Sequence, residues 1–398
     1  YKVVFRDSIE TYCPLIKKGD RLPFKSRWNS YDFGEYNKYG RPDLLTVSYS
    51  KDVTFEGVKT TNSLLMLAPI SNNCEMSLAP GAIITSSADG IHLGSNRFGV
   101  IIDNCEFGNS FDDLINTQTY SGAITKIIND YTYETSRDMF CSVGDEIKFF
   151  NTSNHEIVGT AFLKEIEKKE DGGYRLTVDR KVHKVLSQET SNTPTSMYNL
   201  DSANKGNIIK NSTFKNSRRH AYIIRSACSI VENNIMENNS GAALEAANEI
   251  HGTSNEGLVP SALTFRNNTV KSEGISSKYV PLKIYSWNAQ LGEQACIDGV
   301  LIENNTIDVP SMYGSININS VTGLYMLNNT IKADKPLNEA TQPVVISNSS
   351  IKMIDGLNFD YKQNVSAVIN IVACDVDENN IKNINIIGEN IAIPYSIK

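Results

Sequence analysis

Short β-branched runs alternate with polar corners along most of this chain. The recurring phrase is an apolar run, a polar pair containing Asn, and a further apolar residue. It reads VIIDNCEF (Val100 to Phe107), NIIKNSTF (Asn207 to Phe214), SIVENNIM (Ser229 to Met236), LTFRNNTV (Leu263 to Val270), VLIENNTI (Val300 to Ile307) and LYMLNNTI (Leu324 to Ile331). VVISNSSI (Val344 to Ile351) is a weaker copy. The first Asn of each falls at 104, 211, 233, 267, 304, 328 and 348, so one interval of 107 residues is followed by intervals of 20 to 37. Periods of this size mark solenoids. Runs rich in Ile and Val, bounded by Asn, Gly and Ser, are strands, and no long stretch has the 3.6-residue period of an amphipathic helix. Asn tolerates the left-handed backbone that a tight corner demands. Stacked Asn side chains can also bond from rung to rung. The pattern predicts an all-β chain, a parallel β-helix whose coils stack ~4.8 Å apart around one long apolar core.

The long interval holds text of another kind. From Ile124 to Met197 apolar and polar residues alternate, with turns at Asn151–Asn154 and Asp171-Gly172-Gly173. This is an antiparallel pattern with hairpins, read as a small β-barrel inserted into one coil. A fainter version near the start shares a GDxxxF phrase with it, Gly19-Asp20…Phe24 against Gly144-Asp145…Phe149. The expected organisation is an N-terminal β segment with a small barrel (1–50), coils (51–123), an inserted barrel (124–197) and further coils (198–398).

Three acids sit at the edge of the insert. Asp89 precedes Asp112 and Asp113 by 23 and 24 residues, about one coil, and each stands just ahead of an apolar strand. Residues one coil apart are neighbours on adjacent rungs, so the three should cluster. Clustered carboxylates repel, which raises one pKa and leaves another low. That suits glycoside hydrolysis, where one carboxyl donates a proton and another activates water. Clustered Asp also suits Ca²⁺, and an acidic pair can be a plain turn feature, so three readings stand on spacing alone.

Composition narrows the partners. A chain of 398 residues with net charge −7 and no long basic block is a poor match for nucleic acid. No apolar run approaches the ~20 residues of a membrane span. Seven scattered cysteines form no CxxC pair, which argues against zinc and for buried small hydrophobes, with disulfides unassigned. A homodimer is an allowed assembly.

The ordered set DVTFEGV, SSADGIHLGSNRFGVIIDNCEFGNSFDDLIN, GDEIKFF, NSRRHAYIIRS, GAALEAANEIHGTSNEG and LTFRNNTV resembles glycoside hydrolase family 110 over roughly Tyr12 to Asn305. That resemblance implies a right-handed parallel β-helix with one or two small β-barrel insertions. It implies a metal-free, cofactor-free, inverting exo-α-galactosidase acting on α-1,3-linked galactose of an oligosaccharide or glycoconjugate, secreted or at the cell surface. By the same resemblance the catalytic acids are Asp89, Asp112 and Asp113. Asp112 or Asp113 would be the base with Asp89 assisting, and the acid would be the remaining Asp or a Glu in the 245–256 stretch. Sugar contacts are expected from His92, Asn116, Arg219, His220, Glu245, Asn248, Glu249 and Glu256. His92 and His220 could equally be plain structural histidines, and Trp287 reads more readily as half-buried packing than as a sugar platform. Two segments depart from the family. Asn116-Thr117-Gln118-Thr119 replaces Asn-Val-His-Gly, and Leu64-Leu65-Met66-Leu67 replaces a Gly-Met-Gly turn. Both lie near the expected pocket, so the sugar it reads is less constrained than the chemistry. A polysaccharide lyase and a non-catalytic glycan-binding β-helix are the rival classes.

Overall fold

The computed structural model describes residues 53–61, 71–72, 74–78, 80, 82–86, 88–251, 254–271, 280–287, 289–308, 314–333, 342–361, 365–387 and 391–398. The expected N-terminal barrel and the Leu64–Leu67 segment lie outside these residues.

Most described coils contribute one strand to each of three parallel sheets. In the coil after the insert these strands are Ile208–Lys210, Thr213–Lys215 and Tyr222–Ile224. Their partners one coil on are Ala227–Glu232, Ile235–Glu237 and Leu244–His251, all parallel. Inward residues stack in register. Ile102, Ile209, Val231, Phe265, Ile302, Met326 and Ile354 line one sheet, and all are at most 1 % exposed. In the second sheet Phe107 and Phe214 stack face to face, with centroids 5.7 Å apart and planes at 9°. The fold is a parallel β-helix with one apolar core running its length.

The Asn register explains the corners. Asn104, Asn211, Asn233, Asn267, Asn304, Asn328 and Asn348 all have φ between 47° and 57°, the left-handed region that Asn tolerates. The following residue turns inward and builds a ladder. Oδ1 of Asn234 accepts from the backbone N–H of Ser212, Asn268 from Asn234, Asn305 from Asn268 and Asn329 from Asn305. Each Asn amide then donates to a backbone carbonyl, for instance Asn268 Nδ2 to Val231 O. These side chains are buried, so every bond answers a donor or acceptor that burial would otherwise leave unpaired, at about 1–3 kcal/mol each. Cys105 occupies the same column and accepts from the Cys74 N–H. Among the described residues the cysteines form no disulfide, and Cys228 departs from the expected burial by lying exposed with a left-handed backbone.

One strand, Ile115–Asn129, begins as a rung and runs on into the insert. It pairs with Thr132–Thr135, which leads through Tyr174–Val178, Glu156–Lys168 and Glu146–Asn151 to Thr195–Asn199, and that last strand returns to pair with the first. Six antiparallel strands therefore close a barrel. Alternation sends neighbouring side chains to opposite faces. Phe149 and Met197 fill the barrel, while Phe150 and Tyr198 beside them join the core of the coils. The barrel is thus packed onto the helix along one wall.

Candidate functional site

Asp89, Asp112 and Asp113 sit at successive corners that lead into the same sheet, through Ile91–Gly94 and Ile115–Asn129. Two glycines permit the close stacking this needs. A Cβ on Gly90 would lie 2.7 Å from the Leu114 carbonyl oxygen, and one on Gly241 would lie 2.6 Å from the Arg219 carbonyl carbon. Serines fix the corner: Ser110 Oγ donates to Ala88 O at 2.6 Å and accepts from Asp112 N at 3.2 Å.

One oxygen from each of the three carboxyls lies within 4.8 Å of the others, and all three residues are at most 2 % exposed. Their surroundings differ. Asp89 Oδ2 accepts from His92 Nδ1 at 2.8 Å and Asn116 Nδ2 at 3.1 Å. Asp112 Oδ1 faces Arg219 Nη1 at 3.4 Å and Arg218 Nη2 at 3.8 Å. Asp113 Oδ1 accepts the His220 backbone N–H at 3.0 Å and has Arg219 Nε at 3.7 Å. Burial pushes the Asp113 carboxyl well above the usual carboxylate range, and the charges of Asp89 and Asp112 add to this against the pull of Arg219. Asp113 is thereby favoured in its protonated form relative to an ordinary carboxyl. A divalent cation fits the trio poorly, because Arg219 already supplies positive charge 3.4 and 3.7 Å from two of the carboxyls.

Further along the outward face lies a second group. Arg225, only 2 % exposed, donates from Nη1 to Asn116 Oδ1 at 3.0 Å, pairs through Nη2 with Glu249, and lies 3.0 Å from Glu256 Oε2. Tyr285 Oη contacts Glu245 Oε1 at 2.9 Å and Glu249 Oε1 at 3.1 Å. Burial pushes the Glu245 carboxyl up, but His220, Lys283, Tyr285 and Arg225 outweigh it and hold it below the usual value. His220 is uncharged at neutral pH, so Lys283, Tyr285 and Arg225 carry that effect there. Asn116 bridges the two groups by binding Asp89 with its amide and Arg225 with its carbonyl.

Most residues singled out in the sequence come together here: His92, Asn116, Arg219, His220, Glu245, Glu249 and Glu256 surround the trio or the Arg225 hub. Asn248 is placed differently. It follows Leu244 and Ala246 on the inward parity of its strand, is 1 % exposed, and bonds Ser286 Oγ. It belongs to the coil's own packing rather than to the face the acids share. Sequence reading passed over Arg225, Tyr285 and Gln118. An Arg within an apolar run, as in YIIRS, was the available signal, since Arg is almost never fully buried unless paired. Gln118, in the segment that departs from the family, places its amide 2.7 Å from His92 Nε2.

His220 has a distinct electrostatic state. Its Nδ1 accepts the Ala242 N–H at 2.8 Å, so its proton is on Nε2, 3.6 Å from Glu245 Oε2. Burial lowers its pKa to about 4. In the unfolded chain it takes a proton near pH 6.5, and in the folded protein only near 4. The unfolded state thus binds more protons across that window, and stability falls as pH drops through it. Urea unfolding of the parent beside His220→Gln at pH 7 and pH 4 isolates this contribution: relative to the variant, the parent should lose stability as the pH drops. An unchanged slope in the variant would remove His220 from the account.

The comparisons with known proteins bear on this geometry. Three curated relatives, each called alpha-1,3-galactosidase B, match the chain. The one from Phocaeicola vulgatus is 24 % identical over 338 residues, 74 % of this chain and 55 % of the relative. That from Akkermansia muciniphila is 23 % identical over 273 residues, 63 % of this chain and 32 % of the relative. That from Parabacteroides distasonis is 23 % identical, covering 71 % of this chain and 50 % of the relative. The chain resembles glycoside hydrolase family 110. This GH110-like chain spans a third to about half of the length of the curated relatives it matches. No family model matches it. Among solved structures, the A-module of the Azotobacter vinelandii mannuronan C-5 epimerase AlgE4 is 10 % identical, with 87 % of each chain covered and a TM-score of 0.32. The tailspike gp49 of Pseudomonas phage LKA1 is 9 % identical, with 76 % of this chain and 72 % of that chain covered and a TM-score of 0.23. Likenesses this low have no bearing on function.

Proposed function

We propose that the protein is an exo-acting glycoside hydrolase that removes terminal α-1,3-linked galactose from oligosaccharides or glycoconjugates, outside the cell or at its surface. The carrying observation is the trio of buried carboxyls beside Arg219, one of which, Asp113, is pushed by burial toward its protonated form. The names of the curated relatives support the sugar and linkage. In this reading Asp113 supplies the proton to the departing oxygen, and Asp112, assisted by Asp89, takes one from the attacking water. Arg219, 3.4 Å from Asp112, holds that carboxyl in place.

The reading includes inversion. Inverting enzymes commonly place their carboxyls about 6.5–9.5 Å apart, and retaining ones about 5–5.5 Å. The near oxygens here lie within 4.8 Å, so the far oxygens would have to frame the water. Proton NMR of the first product from a terminal α-1,3-galactosyl oligosaccharide tests this directly. β-Galactose is expected. α-Galactose would make one of the trio a nucleophile. Absence of released galactose from every α-galactoside would remove the activity itself, and an unsaturated product absorbing in the ultraviolet would point to a lyase.

A further inference from the structure

One side chain of the inserted barrel, His155, reaches the coils beside the acidic site. His155 lies on the barrel turn between Glu146–Asn151 and Glu156–Lys168 and is 5 % exposed. Its Nδ1 is 2.7 Å from Glu293 Oε2 and its Nε2 is 2.7 Å from the Trp287 carbonyl oxygen. Each ring nitrogen thus lies within hydrogen-bond distance of an oxygen on the coils. Phe150 supports the imidazole edge-on, with centroids 6.1 Å apart. The grip closes on the 287–293 segment of the coils. That segment is tied also by Trp287 N to Asn248 O at 2.9 Å, Gln290 N to Glu293 Oε2 at 2.8 Å, and Gly292 N to Asn348 Oδ1 at 3.1 Å.

What the grip holds is the rim of the site. The Trp287 indole packs against the Tyr285 ring, with centroids 6.4 Å apart and planes at 45°. Lys283 Nζ lies 3.8 Å from the centroid of that Tyr285 ring. The Tyr285 hydroxyl then bonds Glu245 and Glu249, Glu249 pairs with Arg225, and Arg225 reaches Asp89 through Asn116. A continuous set of contacts runs from the barrel turn to the catalytic carboxyls.

We propose that His155 is a positioning residue for the sugar site: from the barrel it clamps the 287–293 segment and so sets Trp287 and Tyr285 against the substrate. This rests on the glycosidase reading for its kinetic consequence only. His155 is too far along the contacts to move protons, so its loss should weaken sugar binding more than it slows the chemistry.

The test uses the full chain. It contains two tryptophans, Trp28 and Trp287, so a Trp28→Phe background leaves Trp287 as the sole indole. In that background His155→Ala is expected to increase acrylamide quenching of Trp287 and to raise KM for a terminal α-galactosyl oligosaccharide about tenfold, with kcat within about twofold. His155→Gln, which retains one donor, should restore part of both. Glu293→Gln, which removes the carboxylate from the other side of the grip, should move both in the same direction as His155→Ala. Unchanged quenching in His155→Ala and Glu293→Gln overturns the proposal. So does a lower melting temperature with KM unaltered, the mark of a role in barrel stability alone. If the parent hydrolyses no α-galactoside, the functional reading fails, and Trp287 access alone then decides whether the grip exists.

Discussion

Replacing Asp112 with Asn is expected to lower kcat/KM on a terminal α-galactoside by about 10²–10⁴, the range for loss of a general acid or base. Asn keeps the shape of the side chain and removes its capacity to accept a proton from water. Asp113→Asn should cost activity on a similar scale for the opposite reason, since it removes the proton to be donated. The two variants should part company in stability. Burial and neighbouring charge hold the Asp113 carboxyl well above its ordinary value of 3.8. The folded state therefore binds the extra proton, and stability falls as pH rises from the unfolded value through the folded one. Asp113→Asn removes that loss while its amide carbonyl can still accept the His220 N–H. It should be as stable as the parent in acid and more stable at neutral pH. Urea unfolding at pH 4 and pH 7 beside steady-state kinetics checks both statements. A variant with full activity would exclude its residue from the chemistry. A parent-like fall in stability with pH in Asp113→Asn would move the proton elsewhere in the trio.

Arg225→Met should be the most destabilising single change at the site. The guanidinium is buried against Asn116, Glu249 and Glu256. Removing one partner of a buried ion pair leaves the other charge uncompensated, at about 3–5 kcal/mol. Activity should fall as well, because Asn116 loses the contact that holds it against Asp89. The double variant Arg225→Met with Glu249→Gln should recover part of the stability, because the stranded carboxylate is gone. Chemical unfolding of the four proteins in the cycle measures this. Strict additivity would mean that Arg225 and Glu249 are not coupled in the fold.

Much of the architecture could be read along the chain because its information is local. An Asn that must adopt the left-handed backbone at a corner is specified within one residue, and the register of Asn233, Asn267, Asn304 and Asn328 repeats because every coil needs that corner. Inward positions such as Ile209, Val231 and Phe265 follow from alternation. Gly144-Asp145…Phe149 likewise marked the barrel, where Phe149 enters the core and Asp145 binds Arg97 and Asn199. Strand parity also separates Asn248 from its neighbours. Asn248 lies in a motif whose neighbours Glu245 and Glu249 face the acids, yet its own place on the strand turns it inward.

The site was legible as far as its acids. One coil's spacing joins Asp89 to Asp112 and Asp113, and period alone delivers that neighbourhood. Arg225 and Tyr285 escaped notice because their importance lies in partners on other coils. Arg225 meets Asn116 from 109 residues away, and Tyr285 meets Glu245 from 40 residues away. The apolar run around Arg225 hints at burial, but nothing local names the partners it meets.

The sequence by itself determined the coil, the corners, the inserted barrel and the clustering of three carboxyls, since each follows from backbone preference or from period. Only the tertiary structure decided that the surroundings of Asp113 favour its protonated form, because that depends on burial and on charges brought in from other rungs. It also decided what the barrel touches. His155 meets Trp287 and Glu293 across 132 and 138 residues, a contact set by how one closed sheet packs on another rather than by any pattern along the chain.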